Sequence, residues 1–413
     1  MIDVAIIGGG AAGFFTAINL KKKHPGLKVH IFEKSKTVLG KVKVSGGGRC
    51  NVTHACFSPE LLTQFYPRGK KELLSVFRRF NSTQTIQWFK EQGIHLKTET
   101  DGRMFPVTDD SQTIINCFLQ NCTQLDIPVF TNYAVHSLKK KADFFELTCD
   151  GAIIKTKQVV ITSGSSDYFW KIIAEFGHTI VPAVPSLFTF NIKHALLTDL
   201  MGLSVNPASV KLVIEKDMAK SFGLKENDLE QSGPLLITHW GLSGPAVLKL
   251  SSVAARVLNQ VGYCFNIHVN FSQQNTEDIF SALQAFKLSN IKKQIVNTPL
   301  YHIPSRLWTR LNELTFDRQY LTWADISKRE MMLLAENLSR FQLPVRGKST
   351  FKEEFVTAGG VDLKEVDFKT MQSKLVPGMY FAGEVLNIDA LTGGFNFQAA
   401  WSEGWLISES IEN

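Results

Sequence analysis

The chain has 413 residues, of which 44% are hydrophobic, so it can bury one large core or two to three of ordinary size. Its 45 Lys and Arg residues against 38 Asp and Glu residues give a formal charge of +7, which fits an enzyme of anionic ligands about as well as a nucleic-acid binder. The six cysteines form neither a CxxC pair nor a zinc-ligand spacing, which argues against a structural metal site. A strand starts at Ile2, leaving no room for a signal peptide, and no apolar run reaches the length of a membrane span. We therefore expect a cytoplasmic protein without a membrane partner.

The N-terminal residues carry a dinucleotide-binding fingerprint. Residues 4–7 form a short apolar run that predicts a strand, and a helical pattern of apolar residues follows a glycine-rich segment. Within that segment, Gly8, Gly10 and Gly13 form GxGxxG, where glycines allow a tight turn, close approach of the backbone to a pyrophosphate and close helix packing. The N-terminus of the helix offers free N–H groups and a positive dipole end to the phosphates.

An acidic residue completes the fingerprint. The second predicted strand, residues 29–32, ends on Glu33. This acid lies about 20 residues beyond Gly13, where a carboxylate accepts hydrogen bonds from the adenosine ribose hydroxyls. Because strand, helix, spacing and acid agree, the sequence predicts a bound dinucleotide.

The other end of the chain distinguishes FAD from NAD. Residues 379–384 read as a buried strand that ends on a glycine and an acid, and residues 393–396 (Gly-Gly-Phe-Asn) open a helix. A strand end near the ribityl and pyrophosphate, followed by a helix aimed at the flavin pyrimidine edge, is typical of FAD proteins built from two parts of the chain. A helix N-terminus also stabilises the negative charge of reduced flavin. The sequence therefore predicts non-covalent FAD.

A third glycine-rich segment, residues 45–51 (Ser-Gly-Gly-Gly-Arg-Cys-Asn), supplies candidate chemistry. Its N–H groups can form an anion-binding nest, and its glycines let a flat ring approach the backbone. Cys50 beside Arg49 is a candidate redox thiol of lowered pKa, with packing under the ring as the alternative. His239, in Thr-His-Trp-Gly, is a candidate proton donor, with a structural, hydrogen-bonded histidine as the alternative.

The composition and the pattern of predicted elements change after Pro185. Residues 187–346 read as an insertion that is rich in strands first and helical afterwards, with a capping box at Ser327 and an end at Pro344. The predicted domains are therefore an FAD-binding domain from residues 1–186 and 347–413, and an inserted β-barrel-like and helical domain from residues 187–346. The predicted fold class is α/β with a Rossmann-like core.

Four segments resemble a known family: IIGGGAAG, SGGGRCNVTH, THWGLSGPAVL, and TAGGVDL followed by PGMYFAGEVLNIDALTGGFNFQAAWSEG. The chain is similar to the bacterial NAD(P)/FAD-dependent oxidoreductases, which include aminoacetone oxidases and 3-dehydro-bile-acid reductases. The resemblance implies a discontinuous FAD domain of the glutathione-reductase type with an inserted β-rich, partly helical domain. Together, the motifs and the resemblance assign FAD contacts to Gly8, Gly10, Ala11, Ala12, Gly13, Glu33, Lys34, Gly40, Lys41, Ser45, Gly46, Gly47, Arg49, Cys50, Asn51, Val135, Ser163, Gly164, Gly383, Glu384, Asp389, Gly393, Gly394, Phe395 and Asn396.

The sequence departs from the family pattern in three places. Lys34 stands where the family usually has arginine, and Gly40 with Lys41 replaces Gly-Arg-Lys. Residues 162–165 (Thr-Ser-Gly-Ser) replace a Gly-Gly turn, and the loop that follows is shortened before Tyr168. FAD binding is expected to survive these changes, but the substrate of a family member is not carried over to this chain.

The favoured hypothesis is an FAD-dependent oxidoreductase that acts on a small organic substrate by hydride transfer. Two alternatives stay open: a flavin-dependent RNA-modifying or RNA-binding protein, and a flavoprotein whose redox state regulates a partner. Basic residues come in short clusters rather than in one stripe, which disfavours nucleic-acid binding. Residues 241–244 and 359–360 are expected to lack the helix, acid and spacing of a second fingerprint, so any NAD(P)H would be a transient donor.

Overall fold

The computed structural model describes residues 1–318, 321–349 and 356–412. The chain divides into two compact units, Met1–Val184 with Lys352–Asn413, and Pro185–Phe351. The corresponding boundaries predicted from the sequence are residues 187 and 346. Among the described residues, no helix combines the length and the apolar character that crossing a bilayer requires.

The secondary structure alternates between strands and helices through most of the first unit. The strands are β1 Ile2–Ile7, β2 Val29–Phe32, β3 Thr53–His54, β4 Leu96–Thr98, β5 Arg103–Pro106, β6 Val129–Phe130, β7 Val135–Lys140, β8 Phe145–Cys149, β9 Ala152–Ile161, β10 Ile180–Ser186, β11 Thr189–Asn191, β12 Ser204–Val213, β13 Glu230–Ile237, β14 Gly241–Ser243, β15 Cys264–Asn270, β16 Phe341–Arg346, β17 Lys348–Ser349, β18 Val356–Val361, β19 Val366–Asp367, β20 Gln372–Ser373 and β21 Met379–Phe381. The helices are α1 Ala11–Lys23, α2 Gly40–Gly48, α3 Pro59–Leu62, α4 Lys70–Phe77, α5 Ser82–Glu91, α6 Ser111–Gln124, α7 Asp167–Glu175, α8 Lys216–Ser221, α9 Pro245–Val253, α10 Ala255–Gln260, α11 Thr276–Asn290, α12 Ser305–Thr315, α13 Lys328–Arg340 and α14 Phe395–Ser410.

The first unit is built on a parallel sheet. Its strand order is β19-β20-β21-β9-β1-β2-β6, with β7 and β8 attached beside β9. Strands β21, β9, β1, β2 and β6 run parallel to one another, whereas β20 pairs with β21 and β8 pairs with β9 in the antiparallel direction. Val4, Ala5 and Ile6 of β1 are completely buried, as a parallel strand covered on both faces requires. The predicted α/β fold class with a Rossmann-type core is therefore confirmed.

The C-terminal helix returns to the N-terminal one. At Gly404 of α14, a Cβ would lie 2.7 Å from Thr16 Oγ1 of α1, so the absence of a side chain lets the two helices approach closely. The Trp401 ring lies 5.2 Å from that of Phe15 and 5.6 Å from that of Phe118. These contacts bury apolar side chains that are distant in the sequence and join both ends of the chain into one core.

The second unit contains an antiparallel sheet of order β16-β15-β12-β13-β14-β11-β17, and helices α11 to α13 lie between β15 and β16 in the chain. The predicted capping box is confirmed, with the Ser327 hydroxyl and the Glu330 side chain each accepting from the other's backbone N–H. Pro344, expected to end the insertion, instead lies inside β16 opposite Asn266. Because β16 is an edge strand, the missing N–H of proline costs no hydrogen bond on its outer side.

Two local predictions are wrong. The apolar runs at residues 153–154 and 159–161 predict two separate strands, but both belong to the single ten-residue strand β9. The apolar pattern of the helix that starts at Ser111 predicts Leu119 on its buried face, but Leu119 is 38% exposed. Ile114, Ile115 and Phe118 already fill that face, and residue 119 lies at its edge.

Candidate functional site

The glycine loop between β1 and α1 is shaped by the protein's own packing. Gly8 has φ +116°, and a Cβ there would lie 2.3 Å from the Thr162 carbonyl oxygen. A Cβ on Gly13 would lie 2.2 Å from the Gly8 carbonyl oxygen. At Gly10, by contrast, no atom of the described residues lies within 4 Å of the Cβ position, and α1 begins without a side-chain cap or an acid in its first turn. The loop thus leaves open space and free N–H groups where an anion would bind.

Glu33 lies across this loop at the end of β2. Its Oε2 accepts from the backbone N–H of Gly9 at 2.8 Å, and its Oε1 accepts from that of Ser35 at 2.8 Å. The backbone N–H of Tyr133 donates to the Glu33 carbonyl at 2.9 Å, which brings the start of β7 at Val135 to the same end of the sheet. The carboxylate is therefore fixed beside the glycines, with lone pairs left for ribose hydroxyls.

Alanine in place of Glu33 is expected to weaken FAD binding by about 1–3 kcal/mol, the range for losing hydrogen bonds to a charged acceptor. Titration of FAD into flavin-depleted protein, followed by flavin fluorescence, measures the effect. Glu72→Ala on α4, outside the loop, is the matched control. Equal affinities for the two variants would remove Glu33 from the ribose role.

The turn after β9 contributes an unsatisfied polar atom. Thr162 Oγ1 donates to the Gly8 carbonyl at 2.9 Å and ties this turn to the glycine loop. The next hydroxyl, Ser163 Oγ, is buried without a hydrogen-bond partner among the described residues. Gly164 has φ +62° and leads to α7. Because buried hydroxyls are nearly always paired, a ligand or water is expected at Ser163.

The second glycine segment has the irregular backbone that its sequence predicts. Residues 46–48 adopt φ of 59°, 69° and 85°, which glycine tolerates and other residues rarely adopt. Arg49 turns away toward the small sheet of β3, β5 and β4, where it pairs with Glu99 at 2.6 Å and lies 4.0 Å above the Phe105 ring. Its guanidinium is thus engaged by the protein itself.

Cys50 does not have the lowered pKa that the sequence suggested. The residue is completely buried, its backbone N–H donates to the Ser45 carbonyl at 2.9 Å, and burial raises the pKa of its thiol to about 12. The expectation was wrong because Arg49 pairs with Glu99 and desolvation of the thiolate dominates. A protonated thiol packs as a small apolar side chain, which was the alternative reading.

The C-terminal segment meets both glycine segments. A Cβ on Gly383, just after β21, would lie 3.3 Å from Cβ of Ala12 in α1. Gly394 precedes α14 with φ +89°, and a Cβ there would lie 2.7 Å from both Asn51 Oδ1 and the Thr53 carbonyl oxygen. With the Asn51 amide oriented to suit its neighbours, its oxygen accepts from the Gly394 N–H at 3.0 Å and its nitrogen donates to the Thr53 carbonyl at 3.1 Å.

Besides Arg49, ion pairs occupy three of the charged candidates. Lys41 of α2 pairs with Glu384, and Asp389 forms a two-point pair with Arg68. Asp389 is completely buried, and the Arg68 side chain is 14% exposed. Lys34, the remaining charged candidate beside Glu33, is exposed.

The first turn of α14 is held by an amide and by stacked rings. Asn396 Oδ1 accepts from the Ala390 N–H at 3.0 Å. The Phe395 ring stacks on Phe65 at 4.1 Å and on His54 at 4.7 Å. His54 Nδ1 is buried without a hydrogen-bond partner among the described residues. His54 was not among the predicted site residues, although it ends the segment SGGGRCNVTH.

A second missed residue is Glu403 in the middle of α14, a completely buried acid. Its Oε2 accepts from the Gly383 N–H at 2.6 Å, whereas its Oε1 is buried without a partner among the described residues. An acid inside the otherwise apolar stretch AAWSEGWLI is the sequence signal that could have identified it. No cluster of His, Cys, Asp and Glu in the described part of the chain has the makeup of a metal site.

His239 lies in the second unit, exposed in the turn between β13 and β14, and its role as proton donor stays a prediction. Gly244 directly precedes α9, so the expectation that no helix follows residues 241–244 was wrong. The glycine is there for packing, since a Cβ would lie 2.6 Å from the Pro234 carbonyl oxygen. Strand β14 is antiparallel to both β11 and β13, unlike the parallel strands of a dinucleotide fold.

The chain has relatives that match it along nearly its whole length. The model of the family described as HI0933-like protein Rossmann domain matches residues 2–410. Ribosomal RNA dihydrouridine synthase of Escherichia coli (strain K12) is 29% identical over 417 residues, covering 99% of this chain and 98% of that protein. The 3-dehydro-bile acid delta(4,6)-reductase of Clostridium scindens is 24% identical over 421 residues, covering 99% of each.

Among solved structures, 3-ketosteroid-delta4-(5alpha)-dehydrogenase from Rhodococcus jostii RHA1 has a TM-score of 0.51 at 11% identity, covering 100% of this chain and 97% of that one. At this identity the likeness shows the fold alone. The match to the family model extends over the glycine loop, the inserted unit and the C-terminal return. The chain therefore belongs to the HI0933-like Rossmann-domain family and is an FAD-dependent oxidoreductase.

Proposed function

We propose that this oxidoreductase reduces a carbon–carbon double bond conjugated with a carbonyl group in a small organic substrate. The observation that carries the proposal is the chemistry named by the two full-length relatives. Dihydrouridine is uridine with the ring double bond beside a carbonyl saturated, and a delta(4,6)-reductase saturates double bonds conjugated with the 3-keto group of a bile acid. In both cases a hydride adds to the electrophilic carbon of a double bond conjugated with the carbonyl and a proton adds to its other carbon, so one kind of site suits both.

The residues of the first unit fit FAD. The open space at Gly10 and the uncapped start of α1 suit a pyrophosphate, and Glu33 suits the adenosine ribose. The unpaired Ser163 Oγ would gain a partner from the ligand. The first turn of α14, after Gly394, suits the flavin pyrimidine edge. When bound, FAD supplies hydride transfer through its flavin ring.

Backbone and side-chain groups of this chain would be preorganised at the site before the ligand binds. The N-terminus of α14 presents backbone N–H groups and the positive end of the helix dipole to a developing negative charge. Asn51 and Asn396 hold the turn before this helix through hydrogen bonds to backbone groups. The buried Cys50 thiol helps to exclude water from the glycine segment. Because these groups are fixed by packing, they need little reorganisation during the reaction.

A uracil ring in RNA is the second candidate substrate. It is favoured by the activity of the Escherichia coli relative and by that of the Haemophilus influenzae relative, a ribosomal RNA dihydrouridine synthase that is 28% identical over 423 residues and covers 98% of this chain. The formal charge of +7 also suits a polyanion. Lys34, Lys36 and Lys43 are exposed on the segment that follows β2, where cations would meet a phosphate backbone.

The test uses anaerobic protein that carries reduced FAD. The purified protein is expected to be yellow and to release FAD, not FMN, on denaturation. After reduction with dithionite, a Δ4-3-ketosteroid is expected to reoxidise the flavin and to gain two hydrogens, measured by mass spectrometry. The saturated steroid is the control, and an unmodified ribosomal RNA transcript replaces the steroid in a parallel arm.

Each outcome of this test bears on one part of the proposal. A colourless protein that cannot be reconstituted with FAD would overturn the cofactor assignment. A yellow protein whose reduced flavin reacts with oxygen, but with neither the enone nor the RNA, would overturn the reaction class. Reaction with RNA alone would replace the small substrate by uracil. Mixing the oxidised protein with NADH and with NADPH identifies the electron donor.

A further inference from the structure

Helix α14 carries a carboxyl group into the core of the first unit. Glu403 is completely buried, and its Oε2 accepts from the Gly383 N–H at 2.6 Å. Its other oxygen, Oε1, is buried and has no hydrogen-bond partner among the described residues. A buried carboxyl with one oxygen unpaired is unfavourable unless something else completes its hydrogen bonds.

The missing partner has to accept a hydrogen bond. Burial raises the pKa of Glu403 to about 8, with the Gly383 N–H opposing part of the rise. The carboxyl is therefore protonated at neutral pH, and Oε1, the oxygen that accepts nothing, is the one free to carry the proton. The nearby Tyr66 hydroxyl already donates to the Phe395 carbonyl at 2.6 Å. The described residues thus supply no acceptor for this proton.

The carboxyl also lies behind the loop to which FAD has been assigned. Gly383 follows β21 with φ +80°, and a Cβ there would lie 3.3 Å from Cβ of Ala12 in the first turn of α1. One residue beyond Glu403, Gly404 packs against Thr16 of α1. Glu403 therefore links the strand end at Gly383 to the two helices whose N-termini belong to the candidate site.

We propose that Glu403 is a positioning residue of the FAD site, with one oxygen anchoring Gly383 and the other donating to an oxygen that accompanies FAD. Because Oε1 is buried in the structure without FAD, the Glu403 side chain has to turn toward that acceptor, an oxygen of FAD itself or of an ordered water, when FAD binds. The inference rests on the proposed FAD site. Through the Gly383 amide, the carboxyl sets the position of the β21 end against the first turn of α1.

The test compares Glu403→Gln, Glu403→Ala and the control Ser408→Ala. The glutamine amide can accept from Gly383 and donate from its nitrogen, so Glu403→Gln is expected to bind FAD within about threefold of the original protein. Alanine loses both contacts, so the Kd for FAD is expected to rise at least about tenfold. Ser408 is as deeply buried on the same helix, but its hydroxyl donates to the Trp405 carbonyl within the helix, so its removal is expected to leave the Kd unchanged.

The increase in Tm caused by FAD separates positioning from a purely structural role. Glu403→Ala is expected to show a smaller FAD-dependent increase than Glu403→Gln. An equal loss of Tm with and without FAD, together with an unchanged Kd, would overturn the proposal. If the original protein binds no FAD, the proposed function fails; if it binds FAD and Glu403→Ala binds equally well, only this inference fails.

A pH series provides a readout that remains usable if the alanine variant does not fold. Because the folded pKa of about 8 lies above the ordinary value of 4.5, Glu403 binds a proton on folding between these values. Its contribution to stability is fully present below pH 4.5 and is lost as the pH rises to about 8. Glu403→Gln is expected to lack this decline, and equal slopes in the two proteins would contradict the neutral carboxyl.

A crystal structure of the FAD complex identifies the acceptor. An FAD oxygen or an ordered water within hydrogen-bond distance of Glu403 Oε1 supports the proposal and distinguishes the two sources. A complex in which Oε1 faces only apolar atoms would overturn it.

Discussion

Alanine at position 13 is expected to weaken FAD binding. The added Cβ would lie 2.2 Å from the Gly8 carbonyl oxygen and 2.8 Å from Thr162 Oγ1, closer than any Cβ contact allows. To remove these steric clashes, α1 has to move away from β1 and β9. This movement changes the position of the backbone that is expected to bind the pyrophosphate. Overpacking of this kind costs about 1–3 kcal/mol, so we expect FAD affinity to fall by roughly 5- to 150-fold if the FAD-bound state bears this cost.

Gly26→Ala is the matched control, because its Cβ would meet nothing within 4 Å. Flavin content after purification and the Kd for FAD are measured for both variants, with circular dichroism to confirm folding. Normal flavin content in Gly13→Ala would show that the glycine loop does not bind the cofactor. A loss of flavin in Gly26→Ala as well would show that the assay reports general instability.

Methionine in place of Arg68 is expected to lower the free energy of unfolding by about 3–5 kcal/mol, the cost of removing one partner of a buried ion pair. The substitution leaves Asp389, which is completely buried, without the guanidinium that pairs with both its oxygens. Methionine approximately preserves the length of the side chain, so the effect reports the lost charge and hydrogen bonds rather than a large cavity. Chemical denaturation at fixed FAD concentration measures it.

Arg78→Met tests the same chemical change at an exposed pair. The side chains of Arg78 and Glu60 are 61% and 57% exposed, and such pairs contribute about 0–1 kcal/mol. If both substitutions lower the free energy of unfolding by the same small amount, the Arg68 pair is not the buried interaction that its geometry indicates. The double variant Arg68→Met with Asp389→Leu is expected to recover part of the loss, because no buried charge is then left unpaired.

Local sequence patterns predicted the elements around the site. The glycine loop, the strand at Val29–Phe32 and the capping box at Ser327 follow from short-range rules on backbone freedom, apolar runs and caps. The helix that opens after Gly394 was likewise predicted from its sequence. Each of these depends on a few neighbouring residues, so an isolated sequence contains the information. The same applies to the irregular backbone at residues 46–48, which only glycine adopts readily.

Charges and titrating groups were harder to predict, because their partners come from distant parts of the chain. Arg49 was placed in an anion-binding nest, but its partner, Glu99, lies on the hairpin that packs beside the segment. The same contact removes the cation that was expected to lower the thiol pKa of Cys50, and burial then raises that pKa. Desolvation depends on the complete fold and is therefore invisible in a local motif.

By itself, the sequence determined that the chain has a Rossmann-type FAD fold with an N-terminal glycine loop, an acid at Glu33 and a C-terminal return. The tertiary structure alone decided which polar atoms are satisfied: Arg68 with Asp389, Lys41 with Glu384, and Glu403 with only one of its oxygens paired. The physical reason is that glycine turns and apolar periodicity act through neighbouring residues, whereas burial and ion pairing depend on what the fold brings together.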